Sequence, residues 1–155
     1  MKWLSALICS FAIASAFAAP SKDISMEEMA SQADHIFVGV VTGADMIDGS
    51  GSQVMDEKAM TGPGQNHTIR LQIQIDKVLV SNAKKPPKVV MVPLDPSVPF
   101  SLGQIKSAHA THHNDPFLVL LKGPQFEPIR PGRFGQPLSS KAAVLKAYRA
   151  AHKHK

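Results

Sequence analysis

Between Ser107 and Pro116 the chain reads SAHATHHNDP, a run that gathers His109, His112, His113 and Asp115 into an H-x2-H-H-x-D cluster. Imidazole and carboxylate suit zinc, nickel or copper(II). A metal site needs three or four ligands in fixed geometry and partners that hold the rings. The run reads as a polar loop, with no helix to set i, i+4 spacing. His67, at the start of the run HTIRLQIQIDKVLV, is a candidate fourth ligand. The cluster is therefore a candidate zinc or copper site on His109, His112, His113 and Asp115. The plain alternative is a histidine-bearing loop, and no other cofactor is expected.

A second constellation is FEPIRPGRFGQP, where Arg130, Arg133, Phe126 and Phe134 alternate with proline and glycine. Arginine and aromatic side chains dominate binding hot spots, and prolines reduce the entropy lost on docking. Arg130, Arg133 and Phe134 are the candidate partner contacts. The alternative is an edge strand with ordinary packing of Phe126, Ile129 and Phe134. A third group, Asp45, Asp48, Asp56 and Glu57, surrounds glycines, but D-x-x-D-G-S-G-S lacks the alternate-residue spacing of calcium loops. Nucleophile-elbow and H-E-x-x-H motifs are absent. The glycine-bearing GPGQNH has no following helix to hold a phosphate. No catalytic residues are assigned, and the reading is of a protein that is not an enzyme.

The elements that position these groups follow from patterning. MKWLSALICSFAIASAFAAP has an early lysine, a short apolar run and Ala16-Phe17-Ala18 before Pro20. That pattern predicts a signal peptide over residues 1–18, hence export to the periplasm or beyond. Cleavage leaves 137 residues, one domain's worth, and removes Cys9, the only cysteine. The exported chain then has no disulfide, thiol nucleophile or cysteine-based zinc site. From residue 19 to 121 there are 8 basic and 11 acidic residues; from Lys122 onward there are 8 and 1. Such asymmetry marks a surface for an anionic partner. In an exported protein, envelope lipid, wall polymer or an acidic protein comes before nucleic acid, and no nucleic acid is expected.

ISMEEMASQAD predicts a helix over about 25–33, with Ser25 and Glu28 as a capping box and Met26, Met29, Ala30 and Ala33 on one face. HIFVGVVTG is apolar on both faces and predicts an interior strand, with Gly39 at a bulge or close backbone approach. Residues 43–66 read as a mobile loop. HTIRLQIQIDKVLV alternates strictly until the phase slips near Asp76-Lys77, which predicts a bulge. VVMVPL and PFLVLLKG predict two more strands, and FEPIRPGRFGQPL one short last strand. A C-terminal helix over about 140–152, capped by Ser139 or Ser140, sets Val144, Leu145, Tyr148 and Ala151 against Lys141, Lys146 and Arg149.

The pieces ADHIFVGVV, IRLQIQIDKVL and PFLVLLKG, in that order, resemble secreted bacterial domains of the OB-like small β-barrel kind, akin to the netrin-like fold of metalloproteinase inhibitors. The likeness spans roughly half of the exported chain and rests on hydrophobic patterning. It implies a mainly β fold: a small five-stranded OB-like barrel with a short helix at one end and an amphipathic helix at the other. It also implies a binding function. The netrin-like inhibitors reach a metal through an N-terminal cysteine, and this chain has none after cleavage, so that mechanism does not carry over.

The expectation is a single exported β-barrel domain over 19–155 that binds a protein partner, as an inhibitor or immunity protein against an envelope or secreted enzyme. The rival is periplasmic metal binding through His109, His112 and His113. A third reading attaches the C-terminal helix to an anionic envelope surface.

Overall fold

The computed structural model describes residues 24–111 and 115–153. The expected signal peptide and Cys9, as well as His112 and His113, lie outside the described residues. Helix α1 (Met26–Gln32) is followed by strands β1 (His35–Asp48), β2 (His67–Ser81) and β3 (Val89–Pro93), helix α2 (Leu102–Thr111), strands β4 (Phe117–Lys122), β5 (Glu127–Pro128) and β6 (Gly135–Pro137), and helix α3 (Lys141–Ala151). One antiparallel sheet runs β3-β2-β1-β4-β5, and β6 pairs with the same β4 that carries β5. No helix among the described residues is long and apolar enough to cross a membrane.

The interior strand is where the sequence puts it. β1 pairs with β2 along its length and with β4 over His35–Gly39. Its two faces feed two cores. Ile36, Leu118 and Leu120 meet Met29, Ala30 and Ala33 around α1, and Val144 of α3. Phe37, Val119 and Leu121 meet Ile73, Val90, Val92 and Phe134 on the other side. A third cluster, Met46, Ile69 and Leu102, seats α2 against the far end of β1 and β2.

The expected bulge is at Asp76, skipped between the pairs Val38–Lys77 and Gly39–Ile75. Leu79 is skipped in the same way, and Thr42 on the opposite strand. Each extra residue adds local twist, and three of them coil this long ladder. Gly39 is needed for close approach: a Cβ there would lie 2.6 Å from the Gln74 carbonyl oxygen.

Four expectations are corrected. The closed five-stranded barrel does not form; the sheet has six strands and is open. β3 and β5 come within 8 Å between Cα atoms but share no ladder. Their facing ends carry Pro93 and Pro128, which have no N–H to donate, and β5 is only two residues long. The expected loop from residue 43 is strand as far as Asp48, because Asp45 faces Arg70 across the ladder and pairs with it. The rest of that loop is fastened rather than loose: Leu102 and Gly103 donate their N–H groups to the Ala59 and Glu57 carbonyls, and Thr61 is 3% exposed. Helix α2 extends to Thr111, so the first half of the Ser107–Pro116 run, expected to be a polar loop, is helical. Ser101 accepts from the Gln104 N–H while the Gln104 side chain accepts from the Ser101 N–H, a reciprocal capping box. Finally, Ser140 makes no side-chain cap bond; α3 is entered through a 3-10 turn, Leu138–Ser140.

At α1 only half of the capping box is made as expected. Ser25 accepts from the Glu28 N–H at 3.1 Å. The Glu28 carboxylate instead accepts from Gln32 and from Arg130, a hundred residues away.

Candidate functional site

The segment after β5 builds a projecting turn from a buried base. Ile129 and Phe134 are 1% and 6% exposed and anchor its two ends. Between them Arg130-Pro131-Gly132-Arg133 closes on itself, the Arg133 N–H donating to the Arg130 carbonyl at 2.8 Å. Proline and glycine stand where a type II turn needs a fixed negative φ and then a positive one, and Gly132 has φ +67°. The turn rests on the connection after β3: a Cβ on Gly132 would lie 3.2 Å from Asp95 Cβ.

Both arginines are exposed. Arg130 Nη2 donates to Glu28 Oε1 at 2.7 Å, with both side chains nearly half open to solvent. Arg133 stands between two clefts. One, about 580 Å³, has walls of Ile24, Leu94, Val98 and Phe100. The other, about 470 Å³, is bounded by Met29, Leu71, Phe117 and Gln136. The Asp95 carboxylate at the first cleft accepts from the Ser97 N–H and hydroxyl. The loop after β1 reaches this region through Gly62, whose N–H donates to the Pro96 carbonyl. The arrangement offers cationic groups beside apolar walls.

The three expected partner contacts therefore divide. Arg130 and Arg133 are on the surface. Phe134 is not: its ring lies in the core, 6.5 Å from that of Phe117, and its carbonyl accepts from the Leu120 N–H at 2.7 Å.

Of the expected metal ligands, His109 is on α2 and Asp115 just before β4. His109 Nδ1 is buried without a hydrogen-bond partner among the described residues. No group of three or more His, Cys, Asp or Glu side chains among the described residues could hold a metal ion. The four carboxylates of the third group go to separate partners: Asp45 to Arg70, Asp48 to Ser50 and Ser52, Asp56 to the Lys58 N–H, and Glu57 to Lys106. The bonds from the Ser50 hydroxyl and the Ser52 N–H hold the Asp48 carboxyl below its ordinary pKa. The paired Asp45 carboxylate raises that of Arg70.

The C-terminal helix turns its apolar face inward. Val144 is fully buried, and Leu145 and Tyr148 pack on the same cluster. Ala151 is exposed, as are Lys146 and Arg149. Burying that apolar face in lipid would require α3 to leave the core.

A polar cluster absent from the expectations sits where β1 begins. His35 is 0% exposed. Its Nε2 donates to the Gly123 carbonyl at 3.0 Å, so Nδ1 accepts from the Ser81 hydroxyl at 2.9 Å. The ring forms a triangle with those of Phe37 and Phe126, each centroid 4.5–6.2 Å from the others. Asp34 accepts from the Gly123 N–H and from Asn82. A serine bonded to a histidine is the start of a nucleophile–base pair. Here the ring is sealed and both nitrogens are spent on tying β1, the end of β2 and the turn after β4 together. The only signal in the sequence was a pair of polar residues, Asp34-His35, directly before an apolar strand.

No family model, curated protein or solved structure matches the chain.

Proposed function

We propose that this chain is an exported, non-enzymatic binding protein of the bacterial envelope that docks a protein partner through the Arg130–Arg133 turn. An inhibitor or immunity protein directed at an envelope or secreted enzyme is the concrete form of that reading. The observation that carries it is the turn itself: two arginines on a proline-fixed tip, anchored by buried residues on both sides and flanked by two clefts. Pre-organisation of this kind lowers the cost of docking. An OB-like description of the sheet is part of the proposal. It is supported by the order β3-β2-β1-β4-β5, by a helix between β3 and β4, and by the approach of β3 to β5.

The test is co-purification from native envelope extract followed by affinity measurement on the protein recovered. Replacing both Arg130 and Arg133 with Ala should weaken binding more than about tenfold, since an arginine hot spot is worth about 2 kcal/mol or more. Unchanged affinity would remove this turn from the account. A second reading, metal handling through His109, His112, His113 and Asp115, keeps one observation in its favour, the buried Nδ1 of His109, which has no hydrogen-bond partner among the described residues. It requires stoichiometric zinc or copper binding that His109→Ala abolishes.

A further inference from the structure

Methionine is ordinarily a core filler, and Met29 and Met46 serve that way at 2% and 0% exposure. Met55 and Met60 do not. They are 74% and 43% exposed on the segment between β1 and β2. They flank one tight turn, closed by the Ala59 N–H donating to the Asp56 carbonyl at 3.0 Å and by the Lys58 N–H donating to the Asp56 carboxylate. That turn is held to α2 by two backbone bonds and by the Lys106–Glu57 ion pair, and Met60 bridges to Ser101. Two solvent-facing thioethers are thus carried by a fixed piece of backbone.

His67 completes the group. Its Nδ1 lies 3.0 Å from the Met60 carbonyl oxygen. A carbonyl only accepts, so in the neutral ring Nδ1 carries the proton and Nε2 keeps its lone pair. This is the way metal-binding histidines are set, with one ring nitrogen bonded to a carbonyl and the other left to ligate. The paired residue on β1, Asp48, has one carboxylate oxygen already accepting from Ser50 and Ser52. It stands opposite His67 across the ladder, which puts its negative charge beside that position.

We propose that Met55, Met60 and His67 bind a soft monovalent cation, Cu(I) or Ag(I), through two thioether sulfurs and the imidazole Nε2. Thioether ligands select Cu(I) over zinc. The flexible methionine side chain, with three rotatable bonds, closes the gap across the turn. The donors are neutral, which suits a monovalent ion, and the Asp48 carboxylate offsets its charge. The proposal uses none of the histidines of residues 109–113 and does not depend on the partner-binding reading.

The experiment is titration of the untagged protein with silver nitrate, followed through its methionine methyl resonances. Competition for Cu(I) against bicinchoninate supplies the affinity. One equivalent should shift the methyls of Met55 and Met60 and the ring of His67, while Met29 and Met46 stay in place. The double change Met55→Leu, Met60→Leu should weaken binding at least about tenfold, and His67→Gln should do the same. Both methionines are exposed, so the double variant keeps the fold, which the unshifted core methyls report. Binding that leaves the Met55 and Met60 methyls unmoved, or that survives the double change, would overturn the site and put the metal on the histidines of residues 109–113. Absence of binding at equimolar silver would overturn it as well.

Discussion

Two histidines stand at opposite ends of one ladder. His35 opens β1 opposite Ser81, and His67 opens β2 opposite Asp48. The first is fully buried beside two phenylalanine rings, with both nitrogens bonded to the protein. The second is half-buried, with Nδ1 fixed on a carbonyl and Nε2 left as an acceptor. The same side chain is a fastening at one end and a reagent at the other. The difference lies in how many of its two nitrogens the surrounding chain consumes. A buried polar group with all its partners holds a structure in one arrangement; one with a partner short is where a ligand gains most.

The largest expected effect breaks the comparison at its closed end. His35→Ala removes two hydrogen bonds and a ring from a packed site and leaves Ser81 and the Gly123 carbonyl to find new partners. Stability should fall by about 3 kcal/mol, or roughly 10 °C in thermal midpoint. His67→Gln, at the open end, should stay within about 0.5 kcal/mol of the parent. Denaturant unfolding of the two variants side by side decides the matter, and equal losses would erase the distinction. A step smaller is Gly39→Ala, on the ladder near the His35 end. The added methyl meets the Gln74 carbonyl at 2.6 Å and Ile73 Cγ2 at 2.9 Å. Overpacking of this sort costs about 1–3 kcal/mol. A neutral result in the same unfolding assay would mean that the two strands are not pressed together there.

The smallest effect is one of pH at the His67 end. The Asp48 carboxyl is held below its ordinary pKa by the Ser50 hydroxyl and the Ser52 N–H. A depressed carboxyl contributes stability above its unfolded value, about 3.9. That contribution disappears as the pH falls through the folded value. The gap between the parent and Asp48→Asn should therefore be widest near neutrality and close in acid below about pH 3. A gap that is constant across a pH series of melts would show that the turn does not depend on the ionised carboxylate.

The strongest local patterns in the sequence were enough for half of this molecule. Strict alternation in Ile69–Ile75 and its slip at Asp76 give β2 and its bulge, and Ser25 with Met29 and Ala30 gives α1. Where local pattern and tertiary partner disagree, the partner decides. Gly43 and Asp45 look like loop residues, yet Arg70 across the ladder keeps Asp45 in strand. Phe134 looks like a surface anchor beside two arginines, yet the opposing Phe117 draws it into the core. The helix α2 was legible in principle. Ser101 and Gln104 spell a capping box, and Phe100 and Ile105 occupy the staple positions, but Pro99 and Gly103 disguise them. The His35 network was not legible, because the Gly123 carbonyl that fixes the ring is 88 residues away. The Arg130–Arg133 turn was readable for the opposite reason. Its shape is dictated by Pro131 and Gly132, inside the turn itself.

The seam between β3 and β5 has a consequence for how molecules of this protein meet one another. An unfinished sheet normally offers its outer strands as a template for a neighbour, which is how soluble chains begin to aggregate. Pro93 stands at the end of one rim and Pro128 at the end of the other, and the adjoining hollow of about 400 Å³ also presents Pro96 and Pro131. A strand arriving from a second molecule finds no donors at these positions and little length to follow. The prolines that stand where the sheet fails to close on itself are thus also poor templates for the sheet of another copy.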